Sequence, residues 1–330
     1  MVVRNSSVIE IAILDDYQNK SLDFGNWESL PKHVHTTVFN NGETNEKLLI
    51  ERLRPFEILV TMRERTWLPG SVLENLPNLR LIAATGARQA NIDIETATDM
   101  GIIICSTRSP GHSTSELTWG LILAVTRNIG LEDHLIRKGN WQTTIGVGLE
   151  GKTLGLVGLG RVGKDVASIA AAFRMNLLVW SPNMTQERAQ VYNGKSVTKA
   201  ELFSQSDIVT IHIPLNETSR GIISKKELSI MKPSSYLINT SRGPIVNEKD
   251  LIFALEHNMI AGAGLDVFDT EPLPKDHALM KLSNVVLSPH LGYVTQENYE
   301  IFYGESVQNI MAYLKNKPIN VLNPNALESS

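Results

Sequence analysis

Arg242, Glu271 and His290 are a guanidinium, a carboxylate and an imidazole that each come after a short apolar run. Together they supply the groups for one kind of reaction. Arginine grips a carboxylate bidentately, histidine passes a proton near neutral pH, and a carboxylate beside the histidine favours imidazolium. Hydride transfer to a 2-oxo acid calls on all three roles. Taken singly, Arg242 could pair with a surface acid, Glu271 could be a solvated loop residue ahead of Pro272, and His290 could cap a strand. Their recurrence at equivalent strand ends argues against three coincidences. The other histidines, His33, His35, His112, His134, His212, His257 and His277, show no ligand spacing, so no metal site is expected.

The elements that must bring these groups together are strands. Apolar runs at 235–239, 261–267 and 284–288 precede the three residues, and runs at 154–158, 176–180 and 208–213 complete a six-strand parallel sheet. Parallel strands end on one edge, so Arg242, Glu271 and His290 should converge there. The stretch LGLVGLGRVGKDVASIAAAF at 154–173 reads as strand, tight turn and helix. Gly158 allows the turn, Gly160 lets the backbone approach a pyrophosphate, and Gly163 permits close packing of helix on strand. The phosphates would rest on the helix N-terminus, beside the convergent strand ends. Dinucleotide binding is therefore expected of this half.

The first hundred residues alternate candidate strands at 8–14, 57–61, 79–85 and 102–105 with helical patterns at 43–53 and 92–99, which predicts a second parallel sheet. It has no glycine fingerprint and should hold the substrate. The loops TMRERT and TGARQAN follow strands directly, which makes Arg63 and Arg88 candidate anion contacts; otherwise they are solvated loop arginines. The connector STRSPGHSTS marks a domain boundary. The helix after it, ELTWGLILAVTRNIG, is apolar almost all round and belongs between layers or in an interface.

A length of 330 residues calls for roughly two domains. A net charge of −4 and a pI near 6.1 give no basic face for nucleic acid or for an anionic membrane. Cys105 is the single cysteine, which rules out a disulfide framework and a thiolate cage and points to a reducing, cytoplasmic compartment. Glu10 interrupts the N-terminal apolar stretch and acidic residues follow, unlike a signal peptide, so that stretch is read as a first strand.

The segments NTSRGPIVNE (239–248), LDVFDTEPLP (265–274) and SPHLGY (288–293), behind GLVGLGRVG, resemble the D-isomer-specific 2-hydroxyacid dehydrogenase family, in particular a branch related to phosphoglycerate dehydrogenases. TGARQANID also resembles that family's substrate-carboxylate loop. The resemblance implies two doubly wound α/β domains, a Rossmann-type NAD(P)-binding domain over 113–296 and a flavodoxin-like substrate domain over 1–112 and 297–330. It implies that Arg242 binds and polarises the substrate, that His290 is the general acid/base and that Glu271 orients and charges His290. Asp266 would hold the nicotinamide carboxamide. The backbone at Arg161 and Val162 would meet the pyrophosphate, with Ser181, Pro214 and Thr240 also on the cofactor, and the backbone at Gly86 and Ala87 would meet the substrate carboxylate. A homodimer built on the helix from Ser115 and the segment after it is implied too. Glu271 stands where the related formate dehydrogenases carry glutamine, which argues against that activity. The same motifs resemble the C-terminal binding protein corepressors, so a dinucleotide-sensing binding module is the alternative to an enzyme. Strand 176–180 ends in Ser181, Pro182 and Asn183, with no acid for the ribose hydroxyls, so NADPH is expected to serve at least as well as NADH.

Overall fold

A computed structural model describes residues 8–109 and 111–328. The stretch read as leading into the first strand lies outside the described residues as far as residue 7. The chain divides into two compact units, Met1–Pro110 with Thr295–Ser330, and Gly111–Val294, where the sequence reading placed the joins after 112 and 296.

The first unit is a five-stranded parallel sheet of β1 (Ile9–Ile13), β2 (Val34–Val38), β3 (Ile58–Thr61), β4 (Leu81–Ala84) and β5 (Ile103–Ser106) in the order β2-β1-β3-β4-β5. That is the flavodoxin-like order. β3 and β4 read ILVT and LIAA and are buried throughout, as strands covered on both faces must be. Helix Glu46–Leu53 adds Leu49 and Leu53 to a core with Leu59, Leu73 and Ile82. β2 was not anticipated: VHTTV alternates intermediate and exposed positions at the sheet edge and lacks a continuous apolar run.

The second unit has seven parallel strands, not six. They are β6 (Thr153–Val157), β7 (Asn176–Trp180), β8 (Gly194–Ser196), β9 (Ile208–Ile211), β10 (Tyr236–Asn239), β11 (Gly262–Leu265) and β12 (Val285–Leu287), ordered β12-β11-β10-β9-β6-β7-β8. Read from β6, this is the doubly wound dinucleotide order with one further strand. The one that escaped the sequence is β8, whose three residues GKS carry no apolar signal and pair only at the far edge. Each face of the sheet has its own core. Phe203, Leu228, Leu251 and Leu255 lie on one side, and Trp119, Ile122, Val166 and Ala170 on the other.

The apolar helix is two helices, Ser113–Thr126 and Ile129–Ile136, broken where Asn128 takes a left-handed φ of 53°. Within the unit, Leu121, Ile122 and Val125 of the first helix are buried in the sheet core. That packing accounts for most of its apolar character without a partner chain. Among the described residues no helix is long and apolar enough to cross a membrane.

Candidate active site

Strand register builds the site. Val157 pairs with Ile211, Ile211 with Asn239, Asn239 with Leu265, and Leu265 with Leu287. The residues that follow, Gly158, His212, Thr240, Asp266 and Ser288, therefore form one row along the C-terminal edge of the second unit's sheet.

Glu271 and His290 leave that edge from neighbouring strands and meet. His290 Nδ1 lies 2.6 Å from Glu271 Oε2, and Glu271 Oε1 accepts the Phe268 N–H at 3.0 Å. The two side chains are 19% and 22% exposed, so the pair is partly desolvated. Nδ1 is thus the ring nitrogen that faces the carboxylate. Tyr293 stands edge-on to the imidazole at 5.8 Å. His290 itself has a φ of 55°, a conformation that surrounding structure must enforce.

Asp266 does the enforcing. Its Oδ1 accepts the Ser288 hydroxyl at 2.5 Å and the Leu291 N–H at 2.7 Å, and its Oδ2 accepts the Gly292 N–H at 2.9 Å. Burial pushes this carboxyl up from the usual carboxylate range, and the Ser288 and Leu291 hydrogen bonds, with His290 nearby, pull it back. Both oxygens thus hold the turn that carries His290.

Arg242 follows β10, next in the sheet. The Asn239 side chain accepts the Ser241 N–H at 3.0 Å and donates to Arg242 O at 3.0 Å, which sets the turn. The guanidinium Nη1 donates to Ser241 O at 2.7 Å. Gly243 comes next because nothing larger fits: a Cβ there would lie 2.1 Å from Phe268 C and 2.6 Å from Asp269 N. The loop bearing Glu271 therefore rests directly on the backbone beside Arg242.

The glycine loop fits a dinucleotide. Gly158 has a φ of 99°, and a Cβ there would meet His212 O at 2.8 Å. A Cβ on Gly163 would meet Gly158 O at 2.3 Å, while the space above Gly160 is open. Helix Arg161–Ala172 starts at Gly160 with no side-chain cap and no acid in its first turn. Its first amides are thus offered to an external anion. The Arg161 guanidinium turns aside to donate to Gly111 O at 2.7 Å, leaving its backbone and that of half-buried Val162 in the turn. Beyond β7, Arg188 Nη1 donates to Asn183 O at 2.9 Å, which brings a cation onto the Ser181–Asn183 loop. Thr240 is buried and shares a 2.8 Å hydrogen bond with Thr118, while exposed Pro214 offers its carbonyl to Ser219 at 2.7 Å.

In the first unit, Gly86 has a φ of 83°, and a Cβ there would fall 1.6 Å from Arg63 Nη1, so the guanidinium lies directly over that glycine. The Gly86 N–H donates to the Thr107 hydroxyl at 2.8 Å. Arg63 has a φ of 53°, with its N–H donating to Thr85 Oγ1 at 2.8 Å. Ala87 and Arg88 are exposed.

Sequence reasoning passed over Glu248 and His277, which pair at 3.1 Å beneath the Glu271 loop. Both stand in or beside the quoted motifs, yet 29 positions separate them and no local pattern couples them. Among the described residues no group of three or more His, Cys, Asp or Glu side chains could hold a metal ion.

Residues 119–292 match the model of the D-isomer specific 2-hydroxyacid dehydrogenase NAD binding domain, wholly within the second unit. A glyoxylate reductase of Thermococcus litoralis is 39% identical over 296 residues, 86% of this chain and 88% of its own. A D-3-phosphoglycerate dehydrogenase of Methanocaldococcus jannaschii is 38% identical over 260 residues, 78% of this chain but 49% of its own. The crystal structure of a putative D-3-phosphoglycerate dehydrogenase oxidoreductase from Ralstonia solanacearum superposes with a TM-score of 0.89 at 36% identity, covering 97% of this chain and 98% of its own. Such identity across both units, over two parallel sheets of the same kind, makes this chain a member of the D-isomer-specific 2-hydroxyacid dehydrogenase family, nicotinamide-dependent oxidoreductases of 2-hydroxy and 2-oxo acids.

Proposed function

We propose that this chain reduces a small 2-oxo acid to the D-2-hydroxy acid, with His290 as the proton donor. The observation that carries the reading is the 2.6 Å His290–Glu271 pair on the sheet edge that Arg242 shares. Unit Gly111–Val294 takes the dinucleotide, with its pyrophosphate on the Arg161 and Val162 backbone, and the other unit takes the substrate. A dihydronicotinamide held there would supply the hydride for the carbonyl carbon. Arg242 grips the substrate carboxylate and draws charge toward the carbonyl oxygen, His290 Nε2 gives that oxygen its proton, and Nδ1–H stays with Glu271. Asp266 holds the His290 turn in place and keeps lone-pair capacity on Oδ2 for the carboxamide. Arg63 and Arg88 are the first unit's candidate anion contacts, with the backbone of Gly86 and Ala87 for the substrate carboxylate.

Ser181, Asn183 and Arg188 offer hydroxyl, amide and cation where an acid would repel a 2′-phosphate, and they support use of NADPH at least as readily as NADH. The exposed apolar side chains Ile129, Ile136, Trp141 and Ile145 support a homodimer. A lone cysteine, buried, supports a cytoplasmic setting.

The test is a panel of 2-oxo acids, including glyoxylate, hydroxypyruvate and phosphorylated hydroxypyruvate, assayed by loss of reduced-nicotinamide absorbance, with chiral analysis of the product. Turnover of at least one to the D product is expected. No consumption of either cofactor across the panel would refute it.

A further inference from the structure

We propose that Glu248 and His277 form a clasp that closes the 268–277 loop and so positions Glu271 against His290. The proposal rests on the reading above for its catalytic consequence and on geometry for its existence. One carboxylate ties both arms of the loop. Glu248 Oε2 accepts the Asp269 N–H at 3.3 Å, two residues before Glu271, and Oε1 takes His277 Nε2 at 3.1 Å, six residues after it. The amide next to Asp269, that of Phe268, is the one that holds Glu271 Oε1 at 3.0 Å. Consecutive amides therefore serve the two carboxylates, and a shift of the clasp is handed to Glu271 through a single peptide unit. Gly243 blocks escape downward, since Phe268 C is 2.1 Å from where its Cβ would be.

The histidine is held as firmly as the acid. His277 Nδ1 accepts the Leu279 N–H at 3.3 Å, which assigns the proton to Nε2 and aims it at Glu248, and Leu279 anchors that arm in the core. Both clasp side chains are 19% exposed, so the contact is shielded enough to matter. Asp269 is the other acid in the cluster. Partial burial pushes its carboxyl up, and Glu248 pushes it further, while Arg220 and His277 pull it down. Arg220 is the cation beside these two crowded carboxylates, neither of which touches His290.

The test separates the two nitrogens of His277. His277→Gln places an amide near Nε2 and keeps the clasp. His277→Asn places an acceptor near Nδ1, keeping the contact to Leu279 and losing the clasp. In His277→Asn, kcat/KM for 2-oxo acid reduction should fall about tenfold or more, and the pH at which reduction declines should move toward that of Glu271→Gln. His277→Gln should stay close to wild type in both. Hydrogen exchange at the Phe268 and Asp269 amides gives a readout independent of activity and is expected to quicken about tenfold in His277→Asn alone. Equal exchange and an unmoved pH profile in a folded His277→Asn would overturn the clasp. A wild type inactive on every 2-oxo acid would overturn the functional reading and leave the exchange measurement to decide the clasp.

Discussion

Glu271→Gln removes the charge of Glu271 and keeps its hydrogen bond to His290. The amide oxygen can still accept His290 Nδ1–H at the place now occupied by Oε2, 2.6 Å away, while the amide nitrogen gives up the Phe268 N–H that Oε1 accepts. Charge centres about 4 Å apart interact by roughly 4 kcal/mol at an effective dielectric of ~20 and by roughly 2 kcal/mol at ~40. With the side chains 19% and 22% exposed, the lower figure applies. About 2 kcal/mol corresponds to roughly thirtyfold in rate. The sign follows from which form works. Reduction needs the imidazolium, is fully active below the limb where that form is lost, and declines above it. A carboxylate beside the ring favours its protonated form, so removing it should lower kcat/KM by up to about thirtyfold and bring the decline to lower pH. The assay is kcat/KM for reduction from pH 5 to 10 for wild type and variant, each shown to be folded by its melting curve. A limb that stays where it was would remove the Glu271 charge from the mechanism.

Three further outcomes follow. Ser181→Asp should shift preference toward NADH by about 1–3 kcal/mol of like-charge repulsion against a 2′-phosphate, read as the ratio of kcat/KM values; a wild type already favouring NADH by about a hundredfold would refute the Ser181–Arg188 assignment. Light scattering should find a dimer at micromolar concentration, and Ile145→Glu, at a side chain 97% exposed, should weaken it without unfolding the chain. Leu121→Asp is no test of assembly, because Leu121 is buried in its own unit and a Cβ on Gly264 would sit 3.1 Å from it. Burial depresses His212 to about 3, so the folded state resists a proton that the unfolded chain accepts below about 6.5. Stability contributed by neutral His212 should therefore fall as pH drops from about 6.5, by at most about 1.4 kcal/mol per unit, and His212→Gln should flatten the melting temperature over that window; parallel curves for the two proteins would refute it.

What could be read in the sequence was local or periodic. Apolar runs with glycine turns announce parallel strands, and parallel strands place their C-terminal residues on one edge whatever the tertiary detail. That is why Arg242, Glu271, His290 and the glycine loop could be placed together before any coordinates. Gly158 and Gly163 were legible for the same reason, since their contacts lie within one strand–turn–helix unit. β2 and β8 were not, because an edge strand needs no apolar run and their pairing supplies what side chains do not. Tertiary structure alone decided the rest. The burial of Leu121 depends on a sheet strand far along the chain, and the engagement of the Gly86 amide depends on Thr107, just past the end of β5. Asp266 was legible as an acid at a strand end, but only register reveals that its oxygens hold the turn of His290. Glu248 and His277 meet across 29 positions because β11 lies beside β10. Periodicity encodes which face a residue shares with its neighbours in sequence; which distant side chain completes its hydrogen bonds is set by how the strands register and pack.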